Sequence, residues 1–187
     1  MDNITRTAKS PLCGLDTTNC RCRLREVTDI SIVSAAMPAG SEKKTMTALK
    51  KAYGLAAPDG RMSTVSDKGR ALMATPDQLL IVLNEAGGLH AKNVREALGG
   101  TVYTTDQTDN LVALEVSGAG AIDALERICP IDLHDSTFPV GSYARTVMEH
   151  LGATIIRTGD DSYLLMSASS SAKSFAHAVQ QSMDYTA

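Results

Sequence analysis

The sequence predicts an α+β protein made of two pseudo-repeated lobes of mainly antiparallel sheet, with helices packed on one face. Strand-like runs and amphipathic helical segments are mixed, without the regular strand–helix alternation of a parallel doubly wound sheet. The same order of elements, β-α-β-β-β-α, occurs twice along the chain. Two tight turns, Thr75–Gln78 and Thr158–Asp161, occupy matching places in the two halves, about 83 residues apart.

Residues 29–99 form the first predicted lobe. The run Asp29–Ser34 alternates apolar and polar side chains, as a half-buried strand does. Gly54 ends the first helix and Gly99-Gly100 ends the second, because glycine readily adopts the left-handed conformation that follows a helix. The predicted elements are strand 28–36, helix 41–53, strands 61–65, 69–74 and 79–83, and helix 90–98.

Residues 100–187 form the second predicted lobe, and together the lobes make a single domain over residues 29–187. Its strand Leu111–Val116 corresponds to the first strand of lobe one. Ser117-Gly118 starts a helix that Pro130 ends, since proline cannot continue the helical hydrogen bonding. The predicted elements are strands 101–105 and 111–116, helix 117–129, strands 142–148, 154–157 and 163–166, and helix 172–183.

Residues 1–28 are polar, lack periodicity and are predicted to form an extended N-terminal arm. Arg21, Arg23 and Arg25 alternate with other residues there, so in an extended chain all three side chains point one way. Two interpretations fit this geometry. The arginines form a solvated strand face, or they form an interface that carries positive charge to the acidic surface of a partner.

The composition excludes several classes of function. The 187 residues are 43% hydrophobic, enough for a real core, and the net charge is −3 with no basic face, which disfavours nucleic-acid binding. No apolar run approaches the roughly 20 residues that span a bilayer, so no membrane partner is expected. The N-terminus has no apolar signal-peptide core, and a cytoplasmic location is therefore expected.

Three of the four cysteines, Cys13, Cys20 and Cys22, are clustered near the N-terminus. A structural zinc site needs four ligands, and the nearest histidine in the sequence is His90, far along the chain. Reduced surface or packing thiols are favoured over a metal site, and no metal ligand is assigned. The fourth cysteine, Cys129, follows an apolar helical face and is interpreted as a small buried side chain.

The segment Cys129–His134 brings a thiol, a carboxylate and an imidazole close together in sequence. If the segment is extended, Asp132 and His134 lie on one face, where such a pair either acts as an acid–base pair or fixes the chain path and contacts a neighbouring subunit. No nucleophile or metal partner lies within sequence reach. The structural or interface role is therefore preferred, and no catalytic or cofactor-binding residue is assigned.

Two further features have alternative interpretations. Gly118-Ala119-Gly120 resembles the start of a dinucleotide-binding fingerprint, but Asp123 stands where the third glycine is needed, so a tight strand-to-helix turn is favoured. Arg145 lies in a predicted strand, where its guanidinium needs a carboxylate or backbone partner. An Arg145–carboxylate contact, within this chain or with another chain, is preferred over a free surface arginine.

Several segments resemble the gamma subunit of heterotetrameric sarcosine oxidase over nearly the whole chain. The most specific is Cys-Pro-Ile-Asp-Leu-His at residues 129–134. The other matching segments are residues 11–12, 24–27, 75–80, 114–118, 138–146 and 157–166. More remotely, the two-lobed pattern resembles the folate-binding region of the glycine-cleavage aminomethyltransferase family.

The resemblance implies a structural, non-catalytic gamma subunit that assembles with alpha, beta and delta subunits. The complex oxidatively demethylates sarcosine to glycine, forms hydrogen peroxide and produces 5,10-methylenetetrahydrofolate. FAD, FMN, NAD, tetrahydrofolate and zinc are expected on the other subunits, and no cofactor is expected on this chain. The alternatives are a stand-alone folate-binding aminomethyltransferase-like protein, with Asp132 or Glu115 holding the pterin, and a gamma-type subunit of a related N-methyl amine demethylase.

Overall fold

The computed structural model describes residues 9–187, which form two antiparallel sheets and four α-helices. Residues 1–8 of the predicted arm lie outside the described residues. The strands are β1 (Asp16–Thr18), β2 (Arg23–Glu26), β3 (Ser31–Ala36), β4 (Thr64–Ser66), β5 (Gly69–Thr75), β6 (Gln78–Leu83), β7 (Tyr103–Asp106), β8 (Leu111–Ser117), β9 (Tyr143–Met148), β10 (Leu151–Gly159) and β11 (Ser162–Ala168). The helices are α1 (Glu42–Tyr53), α2 (His90–Ala97), α3 (Ala121–Glu126) and α4 (Ala172–Tyr185).

The predicted repeat is confirmed by the order of the elements. From β3 to α2 and again from β8 to α4, the chain runs β-α-β-β-β-α. The first sheet has the strand order β4-β5-β6-β3-β7, and the second has β1-β2-β8-β11-β10-β9. Both predicted turns join matching hairpins, Thr75–Gln78 between β5 and β6 and Thr158–Asp161 between β10 and β11. The α+β fold class with antiparallel sheets is likewise confirmed.

The two sheets pack face to face, and each carries its helices on the opposite face. This arrangement follows from the period-2 alternation of the strands, because neighbouring side chains point to opposite faces. In β6, for example, Leu79 and Ile81 pack beneath α1 and α2, whereas Leu80 and Val82 face the other sheet. The layer between the sheets consists of Ile32, Leu72, Leu80, Val82, Ala113, Tyr143, Ile156 and Met166. The fold is thus a four-layer α–β–β–α sandwich.

Two strands pair with a sheet outside the segment in which the sequence places them. Residues of the predicted arm form the β1–β2 hairpin, and β2 pairs with β8, so that Arg25 lies opposite Glu115. The strand β7, in the range predicted for lobe two, pairs instead with β3 of the first sheet. These pairings connect residues far apart in sequence through short polar strands, and such strands carry no hydrophobic pattern that would reveal the partner.

The helix predicted over residues 117–129 is shorter in the structure. Helix α3 covers only Ala121–Glu126, because β8 extends to Ser117 and residues 118–120 form the turn that follows it. At its end, the N–H of Ile128 donates to the carbonyl of Leu125 over 3.1 Å, which tightens the last turn. Pro130 then disfavours the helical conformation for the residue before it. Among the described residues, no helix has the length and apolar character needed to cross a membrane.

Candidate interface residues and their internal contacts

The turn after β8 holds the N-terminal segment against the second sheet. Gly118 has φ +117°, and a Cβ at this residue would lie 2.4 Å from the carbonyl oxygen of Arg21. The N–H of Gly120 donates to the same oxygen over 3.3 Å, and a Cβ on Gly120 would lie 3.0 Å from Cys22 Sγ. Both glycines therefore allow close approach of the chain around Arg21. The backbone of this segment fills the space in which a nucleotide phosphate would have to lie.

The Cys129–His134 segment leads into a tightly bonded loop on the surface. Asp132 Oδ1 accepts a hydrogen bond from the backbone N–H of His134 over 3.0 Å, and this N–H, with the Thr137 hydroxyl, lowers the pKa of Asp132. The imidazole of His134 contacts Ser136 Oγ over 2.9 Å. The carboxylate thus bonds the backbone of His134 rather than its ring. Both residues are exposed, and their contacts shape a turn.

Arg157 ties this loop to the second sheet, although sequence reasoning did not select it as a site residue. It is 4% exposed, and its guanidinium donates to the carbonyls of Phe138 over 3.0 Å and Asp160 over 2.6 Å. It also forms an ion pair with Asp135 at 2.5 Å and lies 5.7 Å from the centre of the Tyr163 ring. One buried arginine therefore anchors both the loop after His134 and the turn between β10 and β11.

A signal for this anchor was present in the sequence. Ala153 and Ile155 occupy alternate positions of β10 and point into the core under the helices. Arg157 continues the same alternation, so the period of a strand places its side chain inside. A buried arginine requires several acceptors, and the following turn supplies them.

The three arginines of the predicted arm each pair with a carboxylate of the same chain. Arg23 forms a bidentate ion pair with Asp16, from Nε to Oδ1 at 2.9 Å and from Nη2 to Oδ2 at 2.6 Å. Arg25 Nη2 lies 3.2 Å from Glu115 Oε2. These two share one face of β2, as the alternation predicted. Arg21 lies in the turn before β2 and points elsewhere. The partners of Arg21 are Asp123 Oδ2 at 2.6 Å and the carbonyl of Thr186 at 3.0 Å.

Arg145 lies on β9 with its side chain exposed. Its Nη1 donates to the carbonyl oxygen of Ala74 over 3.2 Å, which joins β9 to the end of β5. The expectation of a carboxylate partner within the chain is wrong for the described residues, where none forms an ion pair with it. The strand carries Arg145 away from the acidic side chains of the second sheet. The expected contact with another chain stays a prediction.

The two acids considered for pterin binding lie in different settings. Glu115, on β8, pairs with Arg25, and its side chain is 33% exposed. Asp132 lies on the surface and bonds the turn that follows it. Because neither carboxylate points into a deep pocket, this geometry favours structural roles for both.

A cleft of about 570 Å³ opens between the N-terminal segment and strands β3 and β8, with Ile30 among its lining residues. Glu26, 5% exposed, is the buried acid of this cleft. Its carboxylate accepts hydrogen bonds from Ser10 Oγ at 2.7 Å, from the N–H of Leu12 at 3.0 Å and from the N–H of Gly14 at 2.7 Å. The acid therefore fastens residues 10–14 along the rim of the cleft.

The four cysteines are free thiols in two distinct environments. Cys13 and Cys20 are exposed, whereas Cys22 and Cys129 are buried in the core under α3 and α4. Burial raises the pKa of both core thiols, because it penalises the thiolate. Within residues 9–187, no group of three or more histidine, cysteine or acidic side chains is arranged to hold a metal ion.

Thiol titration is expected to separate these two pairs. In the native chain an aromatic disulfide reagent at pH 8 should modify Cys13 and Cys20 quickly, and Cys22 and Cys129 only after unfolding, because the thiolate is the reactive species. The measurement is the amplitude of the fast phase, with the chain in denaturant as the control for the total. Fast reaction of all four thiols in the native chain would contradict the burial of Cys22 and Cys129.

The two-sheet fold places the chain in a class of two-lobed α+β proteins. It resembles glycine cleavage system aminomethyltransferase T from Bartonella henselae with a TM-score of 0.61 and 12% identity, over 85% of this chain and 45% of that chain. It resembles a chain of heterotetrameric sarcosine oxidase from Corynebacterium sp. U-96, in complex with pyrrole 2-carboxylate, with a TM-score of 0.83 and 24% identity over 96% of both chains. These similarities establish the fold.

Sequence comparison then identifies the family. Sarcosine oxidase subunit gamma from Arthrobacter sp. is 27% identical over 76% of this chain and 70% of its own length. The subunit of the same name from Corynebacterium sp. (strain P-1) is 27% identical over 77% of this chain and 71% of its own length. The model of the sarcosine oxidase gamma subunit family matches residues 34–184. The chain belongs to this family, and the resemblance to it is confirmed.

Proposed function

We propose that this chain is the gamma subunit of a heterotetrameric sarcosine oxidase, with alpha, beta and delta subunits as its partners. The match of residues 34–184 to the gamma subunit family carries this proposal. The agreement in fold with a chain of such a heterotetramer, over 96% of both chains, adds to it.

In the proposed complex, sarcosine is oxidatively demethylated to glycine while oxygen is reduced to hydrogen peroxide. The one-carbon unit is transferred to tetrahydrofolate, which gives 5,10-methylenetetrahydrofolate. The proposal assigns FAD, FMN, NAD, tetrahydrofolate and zinc to the other subunits, and it gives this chain a structural role. A cytoplasmic location is part of the proposal, since four free thiols fit a reducing compartment.

The contacts of the candidate residues support a structural role. Arg21, Arg23 and Arg25 each pair with a carboxylate of the chain. Asp132 and His134 shape a surface turn. Side chains held in this way stabilise the fold of the chain itself, as a structural role requires.

Co-expression with the alpha, beta and delta subunits tests the proposal. An affinity tag on this chain should retain a flavin-containing complex that forms hydrogen peroxide only when sarcosine is present. The tagged chain alone should show neither flavin absorbance nor turnover. A complex that assembles without this chain, and that excludes it when all four are expressed, would refute the proposal.

The structural similarity to aminomethyltransferase T keeps one alternative open, a stand-alone folate-binding protein. Calorimetry of the isolated chain with tetrahydrofolate distinguishes the two functions. Heat of binding to the isolated chain would favour the alternative. Its absence at millimolar folate, together with assembly, would favour the gamma subunit. Replacing sarcosine by other N-methylated amines in the peroxide assay would test the further alternative, a related demethylase complex.

A further inference from the structure

Strand β9 forms an outer edge of the second sheet, and part of this edge is open. At its first residue, the N–H of Tyr143 donates outward to the carbonyl of Arg61 over 3.0 Å, and Ser142 forms an isolated bridge with Met62. Residues 61–62 therefore cover the start of the strand. In an antiparallel ladder, outward and inward pairs alternate. The backbone groups of Arg145 and Val147 consequently point outward, in the same direction as those of Tyr143.

Within residues 9–187, no strand lies beside these two outward positions. No hydrogen bond joins the backbone N–H of Arg145 or Val147 to an acceptor elsewhere in the described chain. Soluble proteins usually blunt such an edge with proline, lysine or a bulge, because it can pair with another chain. Residues Tyr143–Met148 contain neither proline nor lysine, and the pairing of β9 with β10 proceeds without a register shift.

A groove of about 540 Å³ runs along the same strand on the face of the sheet that carries Arg145. Leu111, Met166 and Ala168 give it an apolar lining, and Val147 stands at its side with 51% of its surface exposed. Arg145 lies in the groove, and among the described residues its side chain makes one hydrogen bond, from Nη1 to the Ala74 carbonyl. A guanidinium has five N–H donors, so most of its capacity remains for a carboxylate.

We propose that the open edge of β9 is a docking site for an extended segment of a partner subunit, which adds one strand beside Arg145 and Val147. The segment carries a carboxylate that pairs with Arg145. Two residues further along, on the same face of the segment, it carries an apolar side chain that packs against Val147. This proposal rests on the proposed function, since it requires that the chain be a subunit of a complex. Main-chain hydrogen bonds supply affinity in this mode of recognition, and alternate side chains supply specificity.

The chemistry of the edge favours a partner segment over a second copy of this chain. Two copies of β9 paired symmetrically about residue 145 would place Arg145 opposite Arg145, and like charges directly opposite each other destabilise a sheet. Symmetric pairing about Thr146 would place Arg145 opposite Val147 and supply no counter-ion. A segment from a different chain can present a carboxylate and an apolar residue in the required order.

Two substitutions test the site in the complete complex. Val147→Pro removes the outward N–H and leaves the inward bonds of β9 to β10 in place, so association with the partner subunits should weaken about tenfold or more. Arg145→Glu reverses the charge in the groove, and a similar loss is expected. Both are measured as the affinity of the full-length variant for the other subunits, with thermal unfolding of the free chain as the test of folding.

Each substitution has a matched control. Val65 lies on the edge strand β4 of the other sheet with 65% of its surface exposed, and its pairing with Arg70 also directs its N–H outward. Val65→Pro should therefore leave the affinity within about twofold of the original. Arg95 is exposed on α2, so Arg95→Glu makes the same change in net charge away from the groove. Unchanged affinity in both β9 variants would overturn the docking site while the gamma subunit assignment stands.

Amide hydrogen exchange decides the case if the proline variant does not fold. The amides of Arg145 and Val147 should exchange rapidly in the free chain and become protected in the complex, while the amide of Val65 stays fast. If protection of these amides appears in the free chain as its concentration rises, the edge pairs with a second copy of this chain. That result would overturn the proposal of a partner segment. A chain that forms no complex at all would refute the proposed function and this site together.

Discussion

Replacing Arg157 with methionine is expected to lower the free energy of unfolding by about 3 kcal/mol. Methionine keeps an unbranched apolar side chain but removes the donors to the carbonyls of Phe138 and Asp160. The bond to Phe138 is buried, so its acceptor loses its partner without gaining water. Chemical denaturation of the full chain measures the change, and faster proteolysis within residues 134–140 should accompany it.

Two variants separate the carbonyl bonds of Arg157 from its ion pair. The side chain of Asp135 is 78% exposed, and Asp135→Asn should cost no more than about 1 kcal/mol, the range of a surface ion pair. Arg95→Met changes an exposed arginine of α2 and should stay within about 0.5 kcal/mol. If Asp135→Asn cost as much as Arg157→Met, the ion pair rather than the carbonyl bonds would anchor the loop.

The second large effect is expected at Gly118. Gly118→Ala places a Cβ 2.4 Å from the carbonyl oxygen of Arg21 and imposes φ +117° on a residue with a side chain. Backbone strain and overpacking each cost about 1–3 kcal/mol, so a loss of about 2–6 kcal/mol is expected. Because the contact lies on the N-terminal segment, the variant should also expose Cys22 to thiol reagents in the native chain.

Gly152→Ala provides the control for this change. Gly152 lies on β10, its φ is outside the left-handed region, and a Cβ added there would have no atom within 4 Å beyond its chain neighbours. Alanine there should leave the free energy of unfolding unchanged or raise it by up to about 1 kcal/mol. Equal stability of the Gly118→Ala and Gly152→Ala variants would contradict the close approach of Arg21 to the turn after β8.

The repeated lobe could be predicted because its signals are local. Turns such as Thr75–Gln78, the alternation of Asp29–Ser34 and the continuous apolar run of β6 depend only on neighbouring residues, and the sequence therefore predicts their order along the chain. The pairing of β2 with β8 could not be predicted in this way. Arg25 and Glu115 are 90 residues apart in sequence. Four-residue polar strands such as β2 and β7 have no hydrophobic periodicity from which the strand they pair with could be predicted.

The same distinction between local and tertiary signals applies to the candidate site residues. The common direction of Arg23 and Arg25 follows from strand geometry and was predicted, but the acids that they contact depend on tertiary structure. The carboxylate expected for Arg145 within the chain was wrong, because β9 lies at the far edge of the second sheet from Arg25 and Glu115. Arg157 was missed although its alternation with Ile155 already placed it inside.

Each of the two sheets takes one strand, β7 or β2, from outside its own β-α-β-β-β-α repeat. With these strands included, the chain consists of two equivalent units that follow each other as in a closed ring. In the first unit, the strand beside β3 is β7, which follows α2; in the second, the strand beside β8 is β2, which comes from the other end of the chain. The end of α4 lies next to the start of β2, where Asn19 Nδ2 donates to the Met183 carbonyl over 2.9 Å. A single covalent link there would give the second unit the same chain order as the first. The connection between α2 and β7 in the first unit is equivalent to the gap between α4 and β2 in the second, and a circular permutant opened between α2 and β7 would keep every strand pairing of both sheets.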